Sequence, residues 1–323
     1  MASATQAPDQ RFKVALAFGL VYVLWGSTYL AMRVAVDDMP PFVIGAGRYL
    51  ISGPLMLAAC ALTGRKIKIT LRDLGRLLAV AFLLLTIGNM GVLWSEKYVS
   101  SGLAALVVAI VPIWVVAIET WVLRPARMKV QGLLGLALGI VGLLVLLWPR
   151  LTSGTHLGRL ELLGVGILCV ASMGWAAGSV ISGRANLSID VFTSAAWQMT
   201  LGGVINATIA LAIGEFHNVH VTAHAAEAIA YLVVCGSWIG FTAYIWLLEH
   251  VPTPKVATYA YVNPIVAVFL GWLILSEKVD VFMLVGTVII IASVALVNTS
   301  KLRREKNPAA AKLEPETVSA GGD

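Results

Sequence analysis

The strongest constraint on this chain is a succession of ten apolar runs, at 13–34, 41–62, 74–94, 101–123, 129–148, 159–182, 189–213, 226–248, 254–275 and 281–299. Most are 19–25 residues long. A helix of about 20 apolar residues crosses the hydrocarbon core of a bilayer. Within lipid every backbone N–H and C=O must be satisfied inside the segment, which a helix achieves. The pattern predicts an all-α polytopic membrane protein with ten transmembrane helices. Composition agrees, since 59% of the residues are hydrophobic and 12% charged, against roughly 45–50% and 25% in a soluble domain. A soluble enzyme, a disordered regulator and a nucleic-acid-binding domain are set aside on that ground. The first run follows Arg11 and Lys13, as a signal peptide would, but it is longer than a signal core and leads into further spans. It reads as an uncleaved first helix.

The basic residues give the orientation. Numbering the loops alternately from the N-terminus, one set carries 17 of the 23 Lys and Arg and the other carries 5 (Arg33, Lys97, Arg150, Arg159 and Lys278). Arg48 alone lies within a span. Lys and Arg concentrate on the cytoplasmic side, so both termini are expected in the cytoplasm. The basic balance is thus a topology signal, and no nucleic-acid partner is expected. Cys60, Cys169 and Cys235 all fall in apolar runs and read as reduced packing residues.

The chain repeats itself. At an offset of 152, Trp94 meets Trp246, Val99 meets Val251, Ala105 meets Ala257, Pro112 meets Pro264 and Ile113 meets Ile265. At an offset of 150, Trp25 meets Trp175 and Phe42 meets Phe192. Each repeat holds five spans, and five is odd, so the second half crosses in the opposite sense. Two inverted five-helix repeats are a common plan of secondary transporters. The expected organisation is a cytoplasmic N-terminal tail at 1–12, a first repeat at 13–148, a connecting loop at 149–158, a second repeat at 159–299 and a disordered cytoplasmic tail at 300–323. Pro112 and Pro264 sit about halfway along their spans. Proline lacks an N–H and clashes with the carbonyl four residues back, so these positions are expected helix kinks that free the carbonyls of Val108 and Ala260. Interrupted helices at matching places point to a binding site; a plain packing kink is the alternative.

Several short motifs now combine. Trp25-Gly26-Ser27, Arg48 in the second span, Tyr98-Val99-Ser100-Ser101-Gly102-Leu103-Ala104-Ala105 leading to Pro112, Thr253-Pro254-Lys255-Val256-Ala257 leading to Pro264, and Glu277 together resemble the EamA type of the drug/metabolite transporter superfamily. The resemblance covers about residues 14–299. It implies a carrier of small metabolites, amino acids and related compounds in particular, working by export through a central cavity in the bacterial inner membrane. The first repeat departs from the pattern, with Pro125 where the second has Glu277. Glu277 therefore reads as an interfacial cap rather than a substrate ligand.

Ionisable residues inside a membrane are expensive and are functional hypotheses by default. Arg48 lies about 10 Å into its span at 1.5 Å per residue. It is either a snorkelling interfacial arginine or a cavity cation facing a carboxylate or phosphate. Glu119 stands near the end of the fourth span and is a snorkelling acid or a proton site. Tyr22, Trp25 and Tyr29 share one face of the first helix. Asn89 and Asn263 are mid-span amides that need partners. The expected substrate-binding set is Trp25, Tyr29, Arg48, Asn89, Tyr261 and Asn263, as polar groups converging on an apolar cavity. Gly135 and Gly139 form a GxxxG suited to packing inside the bundle or to a homodimer face.

No glycine-rich phosphate loop appears, which leaves ATP-driven pumping unsupported. His217, His220 and His224 lack partners that would complete a metal site. Neither cofactor nor metal is expected. The reading is a non-enzymatic secondary transporter, multi-pass in the inner membrane, whose partners are a small-molecule substrate and lipid. The rivals are a membrane signalling or scaffold protein, which would carry a sizeable extramembrane domain, and an intramembrane enzyme, which would need a His/Asp/Glu cluster at membrane depth.

Overall fold

The computed structural model describes residues 8–99, 104, 107–119, 126–127, 130–152, 159–275, 281–299 and 303–304. Among them, ten helices of seven or more residues succeed one another: α1 Pro8–Asp38, α2 Pro41–Leu62, α3 Leu71–Ser95, α4 Val111–Ala117, α5 Val130–Thr152, α6 Arg159–Ser182, α7 Val191–Ala212, α8 Ala223–His250, α9 Tyr259–Leu275 and α10 Val281–Thr299. Six of these (α1, α2, α3, α6, α7 and α8) are long and apolar enough, among the described residues, to cross a membrane. Apart from the helices, Ala126–Arg127 pairs antiparallel with Arg303–Arg304 over two residues. Pro125, Glu277 and most of the tail at 300–323 lie outside the described residues.

Helix ends follow local chemistry rather than the edges of the apolar runs. The first helix starts at Pro8, inside the expected tail, and α5 continues to Thr152, four residues into the expected connecting loop. Thr70 caps α3 through a capping box with Asp73, and Thr222 caps α8 by accepting from the Ala225 N–H. These two caps are the third-helix starts of the two halves and stand 152 apart. The second helices end alike as well. Past α2, Gly64 takes φ 73° and past α7, Gly214 takes φ 76°, a left-handed conformation that glycine adopts at least cost. Their spacing is the same 150 that relates Trp25 to Trp175. Arg65 N–H then reaches back to the Cys60 carbonyl at 2.9 Å, closing the helix end.

The packing between helices has the same two-fold pattern. Second helices pair with each other (α2 with α7), as do fifth helices (α5 with α10). Helix α1 lies on α8 and α9, and α6, its counterpart, lies on α3 and the described part of the fourth helix. Gly26 permits the α1–α9 approach, because a Cβ there would stand 2.5 Å from the Val266 Cβ. The GxxxG of α5 is consumed within the chain. A Cβ at Gly139 would meet Ser293 Oγ of α10 and the Tyr261 ring within 2.9 Å, and one at Gly135 would meet Val297. A homodimer would therefore have to use another surface.

The distribution of polarity is that of a membrane protein. Leu62, Leu211 and Val288 point outward, at 89%, 73% and 67% exposure, while Arg48, Ser52, Gln198 and Asn206 are buried inside. A soluble core would reverse this, since exposed apolar side chains gain nothing from water.

Both third helices depart from regular α geometry at matching places. In α3 the segment Phe82–Met90 is wound as π-helix, and in α8 the segment Leu232–Phe241 is. A π turn widens the helix, displaces a side chain from its α register and frees a carbonyl, and such turns gather at functional sites.

Candidate functional site

The two π segments face Arg48. Its Nε donates to Ser237 Oγ at 2.7 Å, from the π segment of α8, and its Nη1 approaches Asn89 Oδ1 at 3.5 Å, from that of α3. Tyr49 also donates its hydroxyl to Asn89 Oδ1, at 3.0 Å. The guanidinium is 4% exposed, so it does not snorkel: it points into the bundle, between the halves. A Cβ at Gly236 would stand 2.7 Å from Arg48 Nη2, so the glycine makes room for the guanidinium. Among the described residues no carboxylate pairs with Arg48. Its neighbours are neutral acceptors. They satisfy part of its donor fork and leave its charge uncompensated.

Beside Arg48 lies an aromatic cluster. Trp25 and Trp175, related by the repeat, meet edge to face with ring centroids 5.4 Å apart. Tyr244 and Tyr259 complete the group, at 4.8 and 5.1 Å from Trp25. The polar tips of Trp25, Trp175 and Tyr244 are tied down. Trp25 Nε1 donates to the Gly236 carbonyl at 3.2 Å, which belongs to a π segment, and Trp175 Nε1 donates to the Tyr244 hydroxyl at 3.0 Å. Edge-to-face pairs of this kind contribute about 0.5–1.5 kcal/mol beyond their burial, so the cluster is a rigid wall.

Between Arg48 and this wall is one cavity. The centre of a water molecule can occupy about 60 Å³ of it. One water needs about 10–15 Å³ on that measure, so in this conformation the space holds a few waters. Trp25, Tyr29, Arg48, Asn89 and Asn263 all line it. Among the described residues the buried Asn263 side-chain oxygen has no hydrogen-bond partner, an unmet acceptor beside the cavity that its residue lines.

Tyr261 does not join them. Its ring packs on Gly139 and its hydroxyl donates to the Leu136 carbonyl at 3.3 Å. Two residues along a helix turn the side chain by about 200°, so Tyr259 faces the cavity and Tyr261 faces α5. Pro112 also differs from expectation. It occupies the first turn of α4, just after a break at Ala109–Ile110, where its missing N–H costs nothing. The kink is thus a helix start. Pro264 lies within α9, which begins after the short helical turn Thr253–Val256 and a break at Ala257–Thr258.

Glu119 is placed at one end of the bundle, where its Oε1 takes a bond from Arg184 Nη2 at 3.3 Å. This ion pair joins the two halves. At the same end, Arg65 pairs with Asp190 at 3.1 Å. At the opposite end lies an acid that sequence reasoning passed over. Glu96, in the turn after α3, is 1% exposed, although it stands next to Lys97, counted above among the loop cations. Ser237 was also missed; its Gly-Ser pair in an apolar span is the signal, since such pairs favour helix distortion.

Comparison with known proteins agrees with this architecture. The family model described as the EamA-like transporter family matches residues 12–148 and again 162–299. The chain is 32% identical over 302 residues to the Escherichia coli strain K12 protein named "Uncharacterized inner membrane transporter YedA", covering 93% of this chain and 95% of that one. It is 25% identical to the Bacillus subtilis protein named "Uncharacterized transporter YoaV", over 91% of this chain and 99% of that one. A solved structure titled "Crystal structure of protein" superposes with a TM-score of 0.72 over 94% of this chain and 99% of its own, at 17% identity, which shows a shared fold.

Proposed function

Because the chain belongs to the EamA-like transporter family, we propose that it is a secondary carrier of small anionic metabolites in the bacterial inner membrane, working by alternating access and in the direction of export. The observation that carries this reading is Arg48, a buried cation held by neutral groups from both halves and facing a cavity. An uncompensated guanidinium is costly in so apolar a place. A substrate carboxylate or phosphate would supply the missing charge through bidentate hydrogen bonds. The Trp25, Trp175 and Tyr259 rings that line the cavity would hold the apolar or planar part of the same molecule. Amino acids and related carboxylates combine both features.

Inverted five-helix halves, with both termini cytoplasmic, supply the motion. Asn89 and Ser237 ride on different halves, so a rocking movement changes the coordination of Arg48 as the cavity shifts from one side to the other. A space for a few waters suits an occluded form, and a metabolite enters as the halves part. An ion pair such as Glu119–Arg184 would latch one end.

The test is an extracellular metabolite profile of cells overproducing the wild-type chain, beside Arg48→Ala at equal membrane levels. One or a few carboxylate- or phosphate-bearing compounds should accumulate outside the wild-type cells and fall about tenfold or more with the variant, the loss of roughly 1.4 kcal/mol or more in binding. Identical profiles would remove Arg48 from the carrier's site.

A further inference from the structure

The carboxyl of Glu96 is buried at the end of the bundle where α1 finishes, one residue beyond the apolar span that ends at Ser95. Among the described residues neither of its oxygens has a hydrogen-bond partner. The nearby cation is committed elsewhere: Arg33 Nη1 donates to the main-chain carbonyl of Glu96, and Arg33 Nη2 pairs with Asp37 at 3.6 Å. Three titratable groups of α1 act on or feel this carboxyl. They are Arg33, Asp37 and Tyr29, the last of which lines the cavity. Helix α6 approaches through backbone, with Ser95 Oγ donating to the Gly164 carbonyl at 3.1 Å. At the repeat offset of 152, Glu96 corresponds to Leu248, which is 3% exposed. An apolar side chain fills the equivalent place in the other half, so packing alone does not call for an acid.

A carboxylate buried without donors is among the most costly arrangements in a protein, and a neutral carboxyl relieves the cost. We propose that Glu96 is the carrier's proton-binding site, protonated when this end of the bundle is closed and ionised when it opens. The proposal rests on the carrier reading for its purpose but not for its test.

The sign follows from burial. Burial pushes the Glu96 carboxyl up to about 8; Arg33 lowers it and Asp37 raises it. Once water enters, the group returns to the ordinary range near ~4.3, and Arg33 is free to pair with it. Closing therefore takes up a proton and opening releases one. Between those two values, each unit rise in pH weakens the closed form by up to about tenfold.

The experiment reads opening without a substrate. In full-length chain lacking Cys60, Cys169 and Cys235, reconstituted in nanodiscs, Val36→Cys reports from the buried face of this end and Val221→Cys from its exposed surface. Val36 is 6% exposed and Val221 70%, and Thr222 ties the second probe to α1 through Asp38. The ratio of their labelling rates by an impermeant maleimide cancels the thiol's own ionisation. Between about pH 6 and about pH 8 the ratio should rise at least about fivefold. Glu96→Gln, fixed neutral, should hold it low and flat, and Glu96→Asp should restore the rise. Infrared difference spectra of the wild-type chain should show a protonated carboxyl band lost over the same range and absent from Glu96→Gln. A flat wild-type ratio, an equal rise in Glu96→Gln, or spectra showing Glu96 ionised at about pH 6 would each overturn the proposal. An unchanged metabolite profile would sink the carrier reading while leaving these results standing.

Discussion

At the scale of the residue, the site depends on which face of a helix each side chain takes. Trp25, Tyr29, Arg48, Asn89 and Asn263 could be nominated from sequence because polar and aromatic groups are conspicuous in apolar runs. That rule cannot separate Tyr259 from Tyr261, since both are equally conspicuous and the break before α9 sets the register. Glu96 escaped for the opposite reason. It looks like a loop acid, and its burial comes from the closure of α1 and α6 around it, a tertiary event. Two contrasts follow. Tyr259→Phe, in the cavity wall, should change transport, while Tyr261→Phe should leave transport intact and lower stability by about 1 kcal/mol for one lost hydrogen bond, read as a thermal-shift difference. Ser237→Ala removes a partner from a buried cation and should cost about 1.5–3 kcal/mol, with a corresponding drop in melting temperature.

At the scale of the element, caps and breaks carry the repeat more faithfully than residue identity does. The matched glycines Gly64 and Gly214, the matched threonine caps Thr70 and Thr222, and the matched π segments of α3 and α8 occur at offsets of 150–152. The prolines and tryptophans made the duplication legible. The π segments were harder to read: the Gly236–Ser237 pair of α8 is a local signal for one of them, and only the folded chain shows Arg48 and Trp25 packed against that pair. Gly236→Ala places a methyl against the guanidinium and should impair transport more than it lowers expression. Gly139→Val overpacks the α5–α10 seam. A cost of about 1–3 kcal/mol is expected, measurable as thermal destabilisation with transport per folded molecule preserved.

At the scale of the whole molecule, the chain is two related halves whose equivalent helices pair across the middle, with a cation where they meet. The membrane class and the two-fold repeat were legible because lipid forces long apolar runs on any chain that lives in it. The relation between ends and centre emerged only in three dimensions. Glu119–Arg184 ties the halves at one end and the Arg33–Glu96 segment closes the other. Glu119→Gln should loosen its own end by a few-fold, as expected for a partly exposed ion pair of roughly 0.2–1 kcal/mol, read as faster thiol labelling there and slower labelling at Val36→Cys.

Counterflow tests the central claim most directly. Vesicles containing the reconstituted chain are loaded with an exported compound, diluted, and given a labelled trace of the same compound outside. Alternating access around Arg48 requires a transient overshoot of label inside the vesicles, lost in Arg48→Ala. Simple equilibration without overshoot, or an overshoot indifferent to Arg48, would contradict it.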